Sequence, residues 1–244
     1  MKTNSSDAQE IDSRALKRNF VSVASHELRT PLSSILLSVS LIEKYAQRQE
    51  TELVLKHSEK IKSTVNNLKG ILEDFLSLEK LDTGQIKAVM ETFDLEELCR
   101  EMMEEMQEMA LSEQELRFVY EGEKTINLDK HLLKNAVVNL IANAVKFAGP
   151  RAIIELKVVA GFTGTTIQVN DNGAGIPEHC HKDLFTPFYR VHSSGTIPGT
   201  GLGLNIVQRY VRLMNGELHF ESVPGQKTSF EMSFPITADE KTAL

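Results

Sequence analysis

From Ala8 to about Leu81, apolar side chains recur at three- and four-residue intervals. That repeat restricts the first third of the chain to two long helices. In the second helix Val54, Ile61, Val65, Leu68, Leu72 and Phe75 take the a and d positions of a heptad, interrupted by polar Ser58. In the first, Leu16, Phe20 and Val23 set one phase, and Leu28, Leu32, Ile35, Val39 and Ile42 set another. The phase slips at His26 and Glu27. Pro31 has no N–H for the carbonyl of Glu27, so a bend is expected there. Gln47 to Thr51 is polar and supplies the turn between the helices. One apolar stripe per helix buries little in a lone hairpin, so the pattern predicts a homodimer closed as a four-helix bundle.

Beyond Asp82-Thr83-Gly84, a helix-ending turn, the period changes. Asp94 is the expected N-cap of a new helix. Leu116–Tyr120, Ala152–Ala160, Thr165–Asn170, Glu217–Ser222 and Thr228–Phe234 read as strands. Asp94–Leu111, Asp129–Phe147 and Leu202–Asn215 read as helices. The fold class expected is therefore α plus α/β: a helical hairpin, then a two-layer α/β sandwich. The expected division is a flexible lead-in over 1–10, a dimerising helical domain over 11–82, a linker over 83–92, an α/β domain over 93–236 and a flexible tail over 237–244. Met102, Met103, Met106 and Met109 read as core filling, and the glutamates from Glu96 to Glu108 as a solvated face.

Composition excludes several classes. A net charge of −7 argues against a broad nucleic-acid or anionic-membrane surface. No apolar run approaches the roughly 18 residues that cross a bilayer, and Met1 to Asp12 is polar, unlike a signal peptide. Cys99 and Cys180 show no repeated spacing, which suggests a reducing compartment. The location expected is the cytoplasm, as a separate protein or as the cytoplasmic part of a larger or membrane-bound sensor. His179-Cys180-His181 has a superficial metal-tract look, but adjacent residues rarely ligate one ion.

Three separated stretches carry chemistry. Ser25-His26-Glu27-Leu28-Arg29-Thr30-Pro31 sets an imidazole, mostly neutral and nucleophilic near pH 7, beside a carboxylate able to fix its tautomer and take its proton. Thr30, one turn on, shares a face with His26. Asn139, Asn143 and Lys146 line one side of one helix, and amide oxygens suit Mg²⁺, which takes few protein ligands. Asp171-Asn172-Gly173-Ala174-Gly175-Ile176 follows a strand; a carboxylate there can accept from the exocyclic amine of adenine, with Gly173 and Gly175 letting backbone approach the ring. Gly199-Thr200-Gly201-Leu202-Gly203-Leu204 opens a helix whose free N–H groups suit phosphates. It is neither a Walker loop nor a dinucleotide fingerprint.

In this order and spacing the segments closely resemble the H, N, G1 and G2 boxes of sensor histidine kinases. Phe185-Thr186-Pro187-Phe188-Tyr189-Arg190 resembles the F box, and the likeness runs from about Phe20 to Pro235. The resemblance implies a Bergerat-type ATP-binding fold, with ATP and Mg²⁺ as cofactors. It implies autophosphorylation of His26 and transfer to an aspartate on a response-regulator receiver domain. By the same resemblance Glu27 assists His26, Thr30 supports dephosphorylation of the partner, Asn143 is the Mg²⁺ ligand, Asn139 its supporting neighbour and Lys146 a phosphate partner. Gly199, Thr200, Gly201, Leu202 and Gly203 are implied around the phosphates under a mobile lid from His192 to Pro198, which Arg190 joins on closure. Thr228 is implied beside adenine. Phe147, Ala148 and Lys227 depart from the common residues at their positions. Only about 25 residues precede the H box, so the sensory input is expected from a domain or protein outside this chain. Two rivals stay open: a degenerate, non-catalytic dimeric scaffold, and an ATPase of the gyrase and heat-shock type that forms no phosphohistidine.

Overall fold

A computed structural model describes residues 4–191 and 199–235, with side chains from Ala24 onward. The chain divides into two compact units near Glu79–Lys80.

The first unit is a helical hairpin of α1 (Asn4–Gln47) and α2 (Thr51–Asp82). α1 begins within the stretch expected to be a flexible lead-in and continues through Pro31, which is buried. At its end Gln49 adopts a left-handed φ of 59°, and the Glu50 amide donates to the Tyr45 carbonyl at 3.0 Å. This six-to-one closure commonly satisfies the last carbonyls of a helix. The Tyr45 ring stacks on His57 with centroids 5.6 Å apart, tying the two helices beside the turn.

The seam inside this hairpin departs from the heptad reading. On α2 the covered line runs Val54, Ile61, Thr64, Leu68, Ile71, Phe75 and Leu78. Val65 and Leu72, assigned to the same line from sequence, are 48% and 53% exposed, and so are Leu32 at 52% and Val39 at 41% on α1. A helix in a hairpin has only one neighbour, so one of two adjacent apolar stripes stays uncovered within a single chain. Leu32, Leu36 and Val39 on α1, with Leu55, Val65, Leu72 and Leu76 on α2, form that remainder.

The second unit has a five-stranded sheet in the order β2 (Glu115–Gly122), β4 (Ile153–Gly161), β5 (Gly164–Asp171), β7 (Lys227–Pro235), β6 (Glu217–Val223). β2 and β4 are parallel and the other pairs antiparallel. Alternate residues are buried: Ile154, Leu156 and Val158 on β4, Ile167 and Val169 on β5, Phe230, Met232 and Phe234 on β7. This is the period-two signature of a sheet covered on one face. The covering layer is α3 (Leu95–Gln107), α4 (Lys130–Phe147) and α5 (Gly203–Leu213), giving the expected two-layer sandwich.

Asp94 caps α3 by accepting from the Glu97 amide at 2.9 Å, as its position suggests. α3 ends four residues before the expected Leu111 for a reason that lies elsewhere in the chain. Buried Gln114 accepts from the Leu111 amide and donates at 2.8 Å to both the Val145 and Gly149 carbonyls, drawing the segment onto the end of α4. A small antiparallel pair, β1 (Glu91–Asp94) with β3 (Thr125–Leu128), also had no sequence signal. Among the described residues no helix is long and apolar enough to cross a membrane.

Asp129 holds the start of α4: its carboxylate accepts from the Leu132 amide at 2.8 Å and the Val89 amide at 2.7 Å, and it is buried. Asp129→Ala leaves two amides without their acceptor and should destabilise the second unit by about 2 kcal/mol in urea unfolding. A shift under a few tenths would show that the cap is dispensable.

Candidate functional site

His26 stands on α1 with 77% of its side chain exposed, while the neighbouring Glu27 side chain is 15% exposed. Nδ1 of the ring and Oε1 of Glu27 are 3.9 Å apart, longer than a hydrogen bond. The carboxylate is thus a nearby negative charge on the Nδ1 side, which leaves Nε2 on the opposite edge of the ring. Thr30 is exposed one turn on, and its hydroxyl donates to the His26 backbone carbonyl at 3.4 Å. Such back-bonding holds a helix threonine when nothing better is offered.

In the second unit α4 carries Asn139 and Asn143 side by side. The Asn143 amide nitrogen donates to Asn139 Oδ1 at 3.1 Å. That bond uses the nitrogen and not the carbonyl oxygen of Asn143, so the oxygen a hard cation would take is not consumed by it. Among the described residues no group of three or more His, Cys, Asp or Glu could hold a metal ion. The donors present fit Mg²⁺ held by one amide oxygen with phosphate and water oxygens completing its shell. Lys146 is exposed at the end of α4, its ammonium 5.3 Å from the Phe147 ring centroid.

The first turn of α5 lies against this pair. A Cβ on Gly203 would come 2.5 Å from Asn139 Oδ1, so the helix start approaches Asn139 only because no side chain intervenes. Leu202 precedes α5 and makes no side-chain cap there. Leu202 is buried and Gly201 half-buried, whereas Gly199 and Thr200 group with the helical unit. Gly201 accepts from the Phe188 amide at 2.9 Å; Phe188 itself sits at φ 67°, rare for an aromatic residue, and strain of this kind gathers at functional sites. Asn205, on the first turn of α5, donates to the Phe185 carbonyl at 2.9 Å, a second tie to the same segment. Arg190 is half-buried; the expected lid, His192 to Pro198, lies outside the described residues.

Asp171 ends β5, and its Oδ1 accepts from the Gly173 amide at 2.9 Å. Burial pushes its pKa above the ordinary carboxylate value, with the Gly173 hydrogen bond opposing. Its partner in register on β7 is Thr228, buried despite the unusual Lys227 before it. Gly175 takes φ 66°, and a Cβ there would lie 2.3 Å from the Val223 carbonyl, so the turn 172–176 rests on the β6–β7 hairpin. Its fastening escaped the sequence reading. The Ile176 amide donates to Ser222 Oγ at 2.7 Å, and His181 Nε2 lies 3.0 Å from the Ile176 carbonyl. His181 is thus committed to the backbone, and its edge contact with Phe220 completes the anchor. A serine near a hairpin turn carries no sequence signal for such a role.

With this geometry in hand, the likeness to known proteins is specific. Residues 16–84 match the His Kinase A (phospho-acceptor) domain, and residues 128–238 match the Histidine kinase-, DNA gyrase B-, and HSP90-like ATPase family. The chain belongs to the sensor histidine kinases of two-component systems. It is 30% identical over 91% of its length to the circadian input-output histidine kinase CikA of Synechococcus elongatus, covering 30% of that protein. It is 31% identical over 94% of its length to the autoinducer 2 sensor kinase/phosphatase LuxQ of Vibrio cholerae, covering 27% of it. A crystal structure of full-length ShkA in complex with AMPPNP superposes with a TM-score of 0.65 at 25% identity, over 90% of this chain and 46% of that one. The chain therefore spans under a third of the curated relatives named here.

The raised pKa of Asp171 has a sign for stability. Below its unfolded-state pKa the group contributes in full; as pH rises through the folded-state value that contribution is lost, because the buried charge is the unfavourable form. Asp171→Asn keeps an oxygen for the Gly173 amide and removes the charge. It should therefore melt at or above the wild-type temperature at pH 7.5, with the difference shrinking toward pH 4. A variant clearly less stable at pH 7.5 would contradict the assignment.

Proposed function

We propose that this chain is the kinase core of a two-component sensor: a homodimeric, ATP-dependent protein-histidine kinase that phosphorylates its own His26 and passes the phosphoryl group to a receiver-domain aspartate. The observation that carries the reading is the exposed imidazole of His26 with Glu27 on its Nδ1 side. Glu27 favours the tautomer with the proton on Nδ1, leaving the Nε2 lone pair as nucleophile. As Nε2 forms its bond to the γ-phosphorus, the bond from phosphorus to the ADP oxygen breaks, and Glu27 takes up the developing positive charge and the Nδ1 proton. Asp171 and Thr228 hold the base; Gly173 and Gly175 admit it; Asn139 orients Asn143. Mg²⁺, when bound at Asn143, neutralises phosphate charge. Lys146, Arg190, Gly199, Thr200, Gly201, Leu202 and Gly203 hold the phosphates from side chains and from the open start of α5.

The uncovered stripe of Leu32, Leu36 and Val39 with Leu55, Val65, Leu72 and Leu76 supports the homodimer, since apolar side chains gathered on one side of a helical hairpin mark an interaction surface. On this reading residues 11–82 are the dimerising phosphotransfer domain, 83–92 a linker and 93–236 the catalytic domain. The chain works in the cytoplasm, takes its input from a sensor domain or protein outside it, and uses Thr30 to orient water in dephosphorylating the partner.

Incubation with γ-labelled ATP tests this. Wild type should acquire acid-labile, base-stable label, and His26→Gln should lose it entirely. Thr30→Ala should keep the label while slowing dephosphorylation of a receiver domain by about 100-fold. A wild type that takes no label favours the scaffold. ATP turnover unchanged in His26→Gln, with no phosphoprotein in wild type, favours the simple ATPase.

A further inference from the structure

The hydrogen-bond inventory around Ser222, on β6, assigns it a role in choosing the base. A serine hydroxyl has one hydrogen and two lone pairs. The Lys227 carbonyl, 3.0 Å away, can only accept, so it takes the hydrogen of Ser222. The Ile176 amide, at 2.7 Å, can only donate, so it takes one lone pair. One lone pair is left, and the Thr228 hydroxyl oxygen lies 3.3 Å away. With the Ser222 hydrogen on the Lys227 carbonyl, Thr228 is the donor of that pair, and its own lone pairs are the groups it can offer to a ligand.

Thr228 is buried and lies directly across from Asp171 in the β5–β7 register. Directly opposed residues of an antiparallel pair share a face, with Cβ atoms about 5 Å apart. Asp171, when ionised, is also an acceptor only. Two acceptors side by side match the two hydrogens of an exocyclic amine, and they repel a carbonyl oxygen at the same ring position. We propose that Ser222 is a positioning residue for purine selectivity: by accepting the hydrogen bond of the Thr228 hydroxyl it makes the pair Asp171–Thr228 favour a 6-amino over a 6-oxo purine nucleotide. The proposal rests on the reading of Asp171 and Thr228 as the base-binding wall. Removing the Ser222 hydroxyl frees the Thr228 proton to turn toward the ligand, which weakens an amine and welcomes a carbonyl.

The test is equilibrium binding of MgATP and MgITP, which differ at the 6-position, to the full chain and its variants. Wild type should prefer ATP strongly. Ser222→Ala should lower the ATP-to-ITP affinity ratio about 10-fold, equal to the loss of one hydrogen bond of about 1.4 kcal/mol. Ser222→Thr, which keeps a hydroxyl on a strand position, should restore most of the ratio. A merely structural role for the Ile176 contact would weaken both nucleotides together. An unchanged ratio in a Ser222→Ala protein that still binds ATP overturns the proposal alone. If wild type binds neither nucleotide, the base-binding reading falls, and the proposal with it. Thermal melting monitors folding; should Ser222→Ala unfold, Ser222→Cys, close in volume and weak in hydrogen bonding, is read for the same ratio, and an unchanged ratio there is equally decisive.

Discussion

A carboxylate drawn partly out of water is the constraint on which the second unit turns. Asp171 would be more comfortable exposed, as its raised pKa records, and a single backbone amide from Gly173 offsets part of the cost. It sits where it does because β5 is clamped between β4 and β7, and because the turn beyond it is fastened to β6 through Ile176. Carboxylates whose pKa is raised by burial gather at functional sites, and a group with hydrogens to donate suits this one. An adenine amine is such a group.

The sheet supplies more than a place for Asp171. The register that sets Thr228 opposite it also brings Ser222 to the back of Thr228, so one ladder fixes both acceptors and the residue behind them. On the other side, the close approach of Gly203 to Asn139 joins the start of α5 to the asparagine pair of α4. The second approach is possible only because Gly203 carries no Cβ. Preorganisation of this kind lets a site present donors and acceptors without rearranging on binding.

How much of this was legible in the sequence depended on how local the cause was. The N-cap at Asp94, the five strands of the main sheet and the asparagine pair on α4 follow from neighbours within one or two turns, and the structure has them. The early end of α3 did not, because it is decided by Gln114 reaching residues more than thirty positions away. Nor did the hairpin seam: two apolar stripes on one helix look alike in sequence, and only the position of the facing helix separates Ile71 from Leu72. The strands β1 and β3 were missed because four residues are too few to show a period. Ser222 was silent for a different reason. Its importance lies in which partners exhaust its one proton and two lone pairs, and no spacing encodes that.

The most direct measurement of the central claim, that Asp171 is the acceptor for the nucleotide base, is the MgATP affinity of Asp171→Asn by titration calorimetry. An amide at that position turns one acceptor into a donor facing an amine, and a fall of about 100-fold, roughly 2.7 kcal/mol, is expected in a protein that melts no lower than wild type. An affinity within twofold of wild type would contradict the claim.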